Sequence, residues 1–165
     1  MPELQLAAAA HGPAILAFER DNRAYFLGSI SDRGDEYFDQ FTERYNELLA
    51  EQEAGTGANY VLVDEDGAVL GRFNLYRLHD GTAELGYRVA ERAAGQGLAT
   101  QAVNQLCRLA VSRHGLRTLR AATSDRNIAS QRVLLKAGFV PDGPADPADI
   151  GGHQGNWYRR DLITE

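Results

Sequence analysis

Residues 84–100 read ELGYRVAERAAGQGLAT, and the parsing of this stretch decides the fold. Glu84–Val89 reads as a strand, Ala90–Gly97 as a short loop, and a helix starts behind it. Gly95 and Gly97 carry no Cβ, so the backbone there can turn tightly and let a ligand approach. The helix aims its first unpaired N–H groups, and the positive end of its dipole, back at the loop. Such a corner binds phosphate without a lysine. Arg92 adds a guanidinium at its edge that can pair with phosphate oxygens. The same two glycines would also serve a plain strand-to-helix turn. Two other phosphate loops do not fit: no GxxxxGK[ST] is present, and a dinucleotide GxGxxG would need glycine where Thr100 stands.

Working outward, Ala99, Ala102, Val103, Leu106, Cys107, Ala110 and Val111 recur by three and four along one helix face, and Gly115 suits its end. Cys107 on that face reads as a small buried hydrophobe. Leu116–Thr123 reads as a strand, parallel to Thr82–Val89 through this crossover. Ser124–Asn127 leads into a second helix through Ala137, ended by Gly138. Phe139-Val140 starts another strand, Pro141–Gly155 reads as a loop, and Asn156–Ile163 as the last strand. Before the glycine loop, Tyr60–Val63, Val69–Tyr76 and Thr82–Val89 form an antiparallel meander whose turns carry Asp-Gly pairs, strong hairpin signals. Leu4–Leu6 reads as a first strand. Pro13 suits the first turn of a helix running towards Gly28. Phe38, Phe41, Tyr45, Leu48 and Leu49 mark a further helix that Gly55-Thr-Gly57 ends. This aromatic stripe reads as core packing.

A chain of 165 residues with 44% hydrophobic and 24% charged residues fits one globular domain spanning residues 1–165. No apolar run approaches the roughly 20 residues of a membrane span, and Glu3 with no basic segment is not a secretory start. A cytoplasmic location is the expectation. The single cysteine excludes an internal disulfide. A net charge of −6 disfavours nucleic acid as a partner and suits a cationic one, such as an amine. No HxxxH or Cys/His cluster exists, so no metal is expected.

Arg92-x-x-Gly95-x-Gly97 resembles motif A of the GNAT superfamily of acyl-CoA N-acyltransferases, [RQ]-x-x-G-x-[GA]. Asn127-Ile-Ala-Ser130 followed by Leu134-Leu-Lys-Ala-Gly-Phe139 is similar to that family's N-x-x-S … L-x-K-x-G-F segment, in the form typical of the RimJ/RimL type that modifies protein N-termini. The motifs stand in the right order about thirty residues apart, as one βαβ unit requires. The resemblance spans Tyr60–Phe139. It implies an α/β, α+β mixed-sheet fold: a central, mostly antiparallel sheet that splays between its fourth and fifth strands, here Thr82–Val89 and Leu116–Thr123, flanked by about four helices.

It further implies acetyl-CoA as co-substrate. Pantetheine would pair with backbone near Tyr87, Arg88 and Val89, as an added strand does. Pyrophosphate would sit on Gly95, Gln96, Gly97, Leu98, Ala99 and Thr100 beside Arg92, and Asn127 would bond the cofactor's arm. Asn127 is equally a plain N-cap. The chemistry implied is direct acetyl transfer to a neutral amine, which for an α-amino group of pKa about 8 calls for a general base. A backbone N–H of Tyr87 or Val89 would hold the developing oxyanion. Glu84 is the candidate base and, equally, an exposed glutamate after a turn. Ser130 is the candidate acid and, equally, a first-turn hydroxyl bonded to local backbone. The tyrosine many GNAT enzymes use as acid is replaced by Leu134. His79, His153, Trp157 and Tyr158 are weaker candidates. The acceptor implied is a protein N-terminal α-amino group, of the ribosomal-protein kind. A small-molecule amine, and a non-catalytic acyl-CoA-binding module, are the alternatives. Monomer and homodimer are both expected among such proteins.

Overall fold

The computed structural model describes every residue except Met1, Ser29, Ser31, Gly151 and 163–165. Among the described residues, seven strands form one sheet in the order β1-β2-β3-β4-β5-β7-β6. They are β1 (Glu3–Leu6), β2 (Gly57–Val63), β3 (Val69–His79), β4 (Thr82–Val89), β5 (Thr118–Ser124), β6 (Val140–Pro144) and β7 (Gly155–Asp161). Every neighbouring pair is antiparallel except β4 with β5. The helices are α1 (Gly12–Asp21), α2 (Arg23–Phe26), α3 (Asp35–Asp39), α4 (Phe41–Glu53), α5 (Leu98–Ser112) and α6 (Ile128–Lys136).

Side-chain alternation along the strands buries both faces of the sheet. One face, with Tyr60, Phe73, Leu75, Leu85 and Leu119, packs on the apolar stripes of α5 and α6 through Leu106, Ala110 and Leu134. The other face, with Val61, Val63 and Val69, packs on α1 to α4 through Ile15, Phe18, Phe41 and Tyr45. The aromatic stripe is core, as its spacing suggests, although Gln40 divides it between α3 and α4. Asp80-Gly81 closes the β3–β4 hairpin with both residues at positive φ, 50° and 80°, the conformation a two-residue type I′ turn requires.

The functionally decisive feature is where β4 and β5 part. Their register runs Thr82↔Thr118, Ala83↔Leu119, Glu84↔Arg120 and stops there. β3 remains paired to β4 as far as Val89, and β7 to β5 as far as Ser124. The sheet is therefore split down its middle, with the far half of β4 exposing one backbone edge.

Two sequence expectations need correction. Pro141–Gly155 is not all loop: Val140–Pro144 is a strand at the sheet's edge, where a missing proline N–H costs no ladder bond, and Pro147–Ile150 is a short 3-10 turn. The segment from Pro13 to Gly28 is two helices, α1 and α2, broken at Asn22. The last strand ends at Asp161, and Ile163 lies outside the described residues.

Candidate active site

Three cavities follow one another along the split. The first, of about 320 Å³, lies against the glycine corner and is lined by Tyr87–Val89, Gly95 and Gly97–Thr100, among others. Gly95 and Gly97 have φ of 75° and 76°, so an L side chain would be strained at either. A Cβ at either position would nonetheless meet nothing within 4 Å, which leaves open space in front of the turn. Gly97 caps α5 with no side-chain bond, and the first helical hydrogen bond runs from Gln101 N–H to Gly97 O at 3.1 Å. The N–H groups of Leu98, Ala99 and Thr100 thus have no intrahelical acceptor, at the positive end of a 15-residue helix. Arg132 and Lys136, one turn apart on α6, line the same cavity. Lys136 is the lysine of the L-x-K-x-G-F segment, whereas Arg132 is not part of either motif; its i,i+4 spacing to Lys136 is the signal that finds it.

Arg92 and Gln96 do not line this cavity. The Arg92 guanidinium is 59% exposed and lies 3.2 Å from Asp64 Oδ2, and Gln96 Nε2 donates to Arg92 O at 2.9 Å. Arg92 here ties the loop to the β2–β3 turn, and Gln96 closes the loop on itself. The Arg88 side chain turns to the opposite face, where Nη1 donates to Glu19 Oε1 at 3.2 Å and the guanidinium stacks over Phe26. Burial and the neighbouring cations Arg33 and Arg72 bring its pKa down to about 10.

The second cavity, of about 240 Å³, is the cleft itself, between Leu85–Arg88 and Ala121–Ser124. Asn127, Ser130 and Leu134 form its α6 wall. Asn127 caps α6, its Oδ1 accepting from Ser130 N–H at 3.1 Å. Ser130 Oγ lies 2.9 Å from the Tyr87 hydroxyl. The Tyr87 ring is stacked on Phe73, and burial pushes its phenol up to about 12, so it stays protonated. Leu134 is fully buried.

The third cavity, of about 590 Å³, opens on the far side of the sheet between β4, α4 and the Pro147–Ile150 turn. Glu84, Tyr76, Glu51, Asp149, Arg77 and Trp157 line it. Glu84 Oε2 is 2.8 Å from Arg77 Nη1. Arg77 sits at an irregularity in the β3–β4 register with φ of 52°, a conformation rare for a residue with a side chain. Glu84 thus lines the third cavity and Ser130 the first two, and the second and third cavities share Leu85, Gly86 and Ala122. Trp157 reaches the third cavity under the guanidinium of Arg120, whereas Tyr158 is core. His79 is the exposed last residue of β3, beside Asp80, and His153 lines none of the three cavities.

Among the described residues no cluster of His, Cys, Asp or Glu could hold a metal, and no helix is long and apolar enough to cross a membrane. What the corner and cleft do fit is a ligand with phosphates at one end and a narrow, amide-bearing arm. The open space before Gly95 and Gly97, the unpaired N–H groups and the free β4 edge each match one part of it.

Comparison with known proteins gives the same picture. The chain is 29% identical over 139 residues to the probable N-acetyltransferase YjcK of Bacillus subtilis, covering 79% of this chain and 75% of that protein. It superposes on the ribosomal-protein-S5-alanine acetyltransferase of Vibrio fischeri with a TM-score of 0.89 at 20% identity, covering 98% and 93% of the two chains. RimL, the ribosomal L7/L12 α-N-protein acetyltransferase, in complex with coenzyme A, gives 0.86 at 21% identity, covering 98% and 94%. The spermidine N-acetyltransferase of Vibrio cholerae, in complex with CoA and spermine, gives 0.77 at 17% identity, covering 96% and 92%. At these identities the structures speak for the fold alone. A family model described as an acetyltransferase (GNAT) domain matches residues 4–140. With its split sheet, glycine corner and cleft, this chain belongs to the GNAT family and is an N-acetyltransferase.

Proposed function

We propose that the chain acetylates the α-amino group of a protein or peptide N-terminus, using acetyl-CoA. The observation that carries the reading is the continuity of the three cavities: a phosphate-suited corner and an acid-lined acceptor cavity meet across the gap between β4 and β5. Acetyl-CoA supplies the acetyl group as a thioester. Gly95 and Gly97–Thr100 would hold its phosphates by backbone N–H groups, with Arg132 and Lys136 adding charge. The free edge of Tyr87–Val89 would hold its arm, with Asn127 on the opposite wall. A β4 N–H, of Tyr87 or Val89, would stabilise negative charge on the acetyl oxygen without reorganising.

On the acceptor side, Glu84 takes the proton that the amine must lose, directly or through a water. Ser130 offers its hydroxyl where the sulfur departs. Glu51 and Asp149 make the cavity attractive to a cation. Its rim is built of exposed side chains, so an acceptor that continues as a chain can leave it. The names of the ribosomal-protein acetyltransferases among the structural neighbours support the same acceptor. The acidic lining equally suits a polyamine, and that is the second reading.

The test is thiol release with acetyl-CoA across N-terminal peptides, spermidine and simple amines, beside thermal unfolding with acetyl-CoA. Ligand at 100 times its dissociation constant adds roughly 2.7 kcal/mol of stability. Release with peptides alone supports the proposal, and release with spermidine alone replaces it by the polyamine reading. Stabilisation with no release for any acceptor would leave a binding module, or an acceptor outside the panel. For the base, Glu84→Gln should lower kcat roughly 10²–10⁴-fold while acetyl-CoA affinity stays within about twofold. Unchanged kcat would remove Glu84 from that role.

A further inference from the structure

The Tyr87 phenol and the Ser130 hydroxyl meet 2.9 Å apart where the cofactor corner opens into the cleft, and both residues line both cavities. Neither is free to wander. The tyrosine ring is stacked on that of Phe73, centroids 5.6 Å apart and planes nearly parallel at 13°, and Phe73 has no exposed surface. Ser130 is fixed by its N–H bond to Asn127. The phenol has one proton and two acceptors within reach, Ser130 Oγ at 2.9 Å and Ser130 O at 3.2 Å. When it donates to the carbonyl, the serine proton is drawn back to the phenol oxygen. When it donates to Oγ, the serine proton is released towards the cleft, and each bond in such a chain polarises the next.

We propose that Tyr87 is a positioning residue for Ser130: its hydroxyl donates to Ser130 Oγ and so turns the serine's own proton towards the sulfur of coenzyme A. This rests on the proposed use of acetyl-CoA. No bond to either residue is made or broken; the pair supplies an oriented donor to negative charge on sulfur.

The test needs no turnover. Affinities for coenzyme A and for desulfo-coenzyme A, which lacks the sulfur, are measured calorimetrically at pH 7 and pH 10. The wild type, Tyr87→Phe, Ser130→Ala and the double variant are compared. The desulfo ligand, which keeps every other contact of the cofactor, subtracts any effect of pH on the rest of the site. A thiol is largely ionised at pH 10, and a hydrogen bond to a charged group is worth about tenfold or more. In the wild type the preference for the sulfur-bearing ligand should rise roughly tenfold from pH 7 to pH 10. Each single variant should lose most of that rise, and the double variant should lose no more than Ser130→Ala. Tyr87→Phe keeping the full rise, or two losses that multiply in the double variant, would overturn the proposal. So would a wild type with no rise, although desulfo binding would then leave the cofactor site intact. Failure of both ligands to bind would instead reject the use of coenzyme A itself. Should Tyr87→Phe not fold, 3-fluorotyrosine at position 87, a stronger donor while protonated, should increase the preference for the sulfur-bearing ligand at pH 9, where the fluorinated phenol still keeps its proton, and an unchanged preference would count against the proposal.

Discussion

Replacing Glu19 by glutamine should destabilise the protein by roughly 3–5 kcal/mol, the cost of removing one partner from a buried ion network. Glu19 is 1% exposed and carries three guanidinium groups. Arg33 Nε and Nη2 lie 3.0 and 3.1 Å from its oxygens, Arg72 Nη1 2.8 Å and Arg88 Nη1 3.2 Å. Arg72 is itself buried and also donates to the Tyr37 hydroxyl at 3.1 Å. Glutamine keeps the shape but removes the one carboxylate that, among the described residues, contacts Arg72 and Arg88, and it turns an N–H₂ towards N–H donors. For a domain of this size each kcal/mol moves Tm by about 2–4 °C, so a fall of roughly 6–20 °C is expected. Urea unfolding should show a lower midpoint at an unchanged slope.

The pH dependence gives an independent check. Burial alone raises the Glu19 pKa, but Arg33 foremost, with Arg72 and Arg88, outweighs it and holds the carboxyl below its usual 4.5. A group whose pKa is depressed on folding stabilises fully above its unfolded value, and that contribution is lost as pH falls through the folded one. The gap between wild type and Glu19→Gln should therefore be constant from pH 7 to pH 5 and narrow below about pH 4.5. A loss under about 1 kcal/mol at pH 7, or a gap that widens in acid, would refute the account of Glu19 as the anchor of α1 on β3 and β4.

Gly97→Ala should cost about 1–2 kcal/mol in urea unfolding, because its φ of 76° strains any residue with a Cβ although space is free. Acetyl-CoA affinity, read by calorimetry, should fall with it. Leu134→Tyr, which restores the tyrosine many relatives carry, should cost about 1–3 kcal/mol by overpacking a fully buried site. It should leave kcat no higher than wild type, and a gain in steady-state kcat would show that the phenol finds its way into the cleft.

What was legible in the sequence was whatever leaves a local mark. The corner announced itself because a left-handed backbone demands glycine, and α5 because its apolar residues keep a helical period. The strand at Val140–Pro144 was hidden because two prolines and a glycine punctuate it, and only an unpaired edge tolerates them. The Glu19 network left no mark at all, since Glu19 and Arg88 stand 69 residues apart and meet only once α1 lies on the sheet. For the same reason Arg92 reads as a phosphate ligand in the motif, yet its guanidinium lies against Asp64, 28 residues earlier in the chain.

The parity of β4 carries the remaining argument. Leu85, Tyr87 and Val89 face α5 and α6, whereas Glu84 and Arg88 face the acceptor cavity and the N-terminal helices. A base on Glu84 and a hydroxyl on Ser130 therefore approach from opposite faces of one sheet. In a continuous sheet, backbone would separate them and no single carbonyl could touch both. The pairing of β4 with β5 ends at Glu84↔Arg120, at the base candidate itself, and the cavity holding Ser130 begins one residue later at Leu85. The split is thus what would allow a proton to be taken on one face and a leaving sulfur to be met on the other, with the freed β4 edge between them.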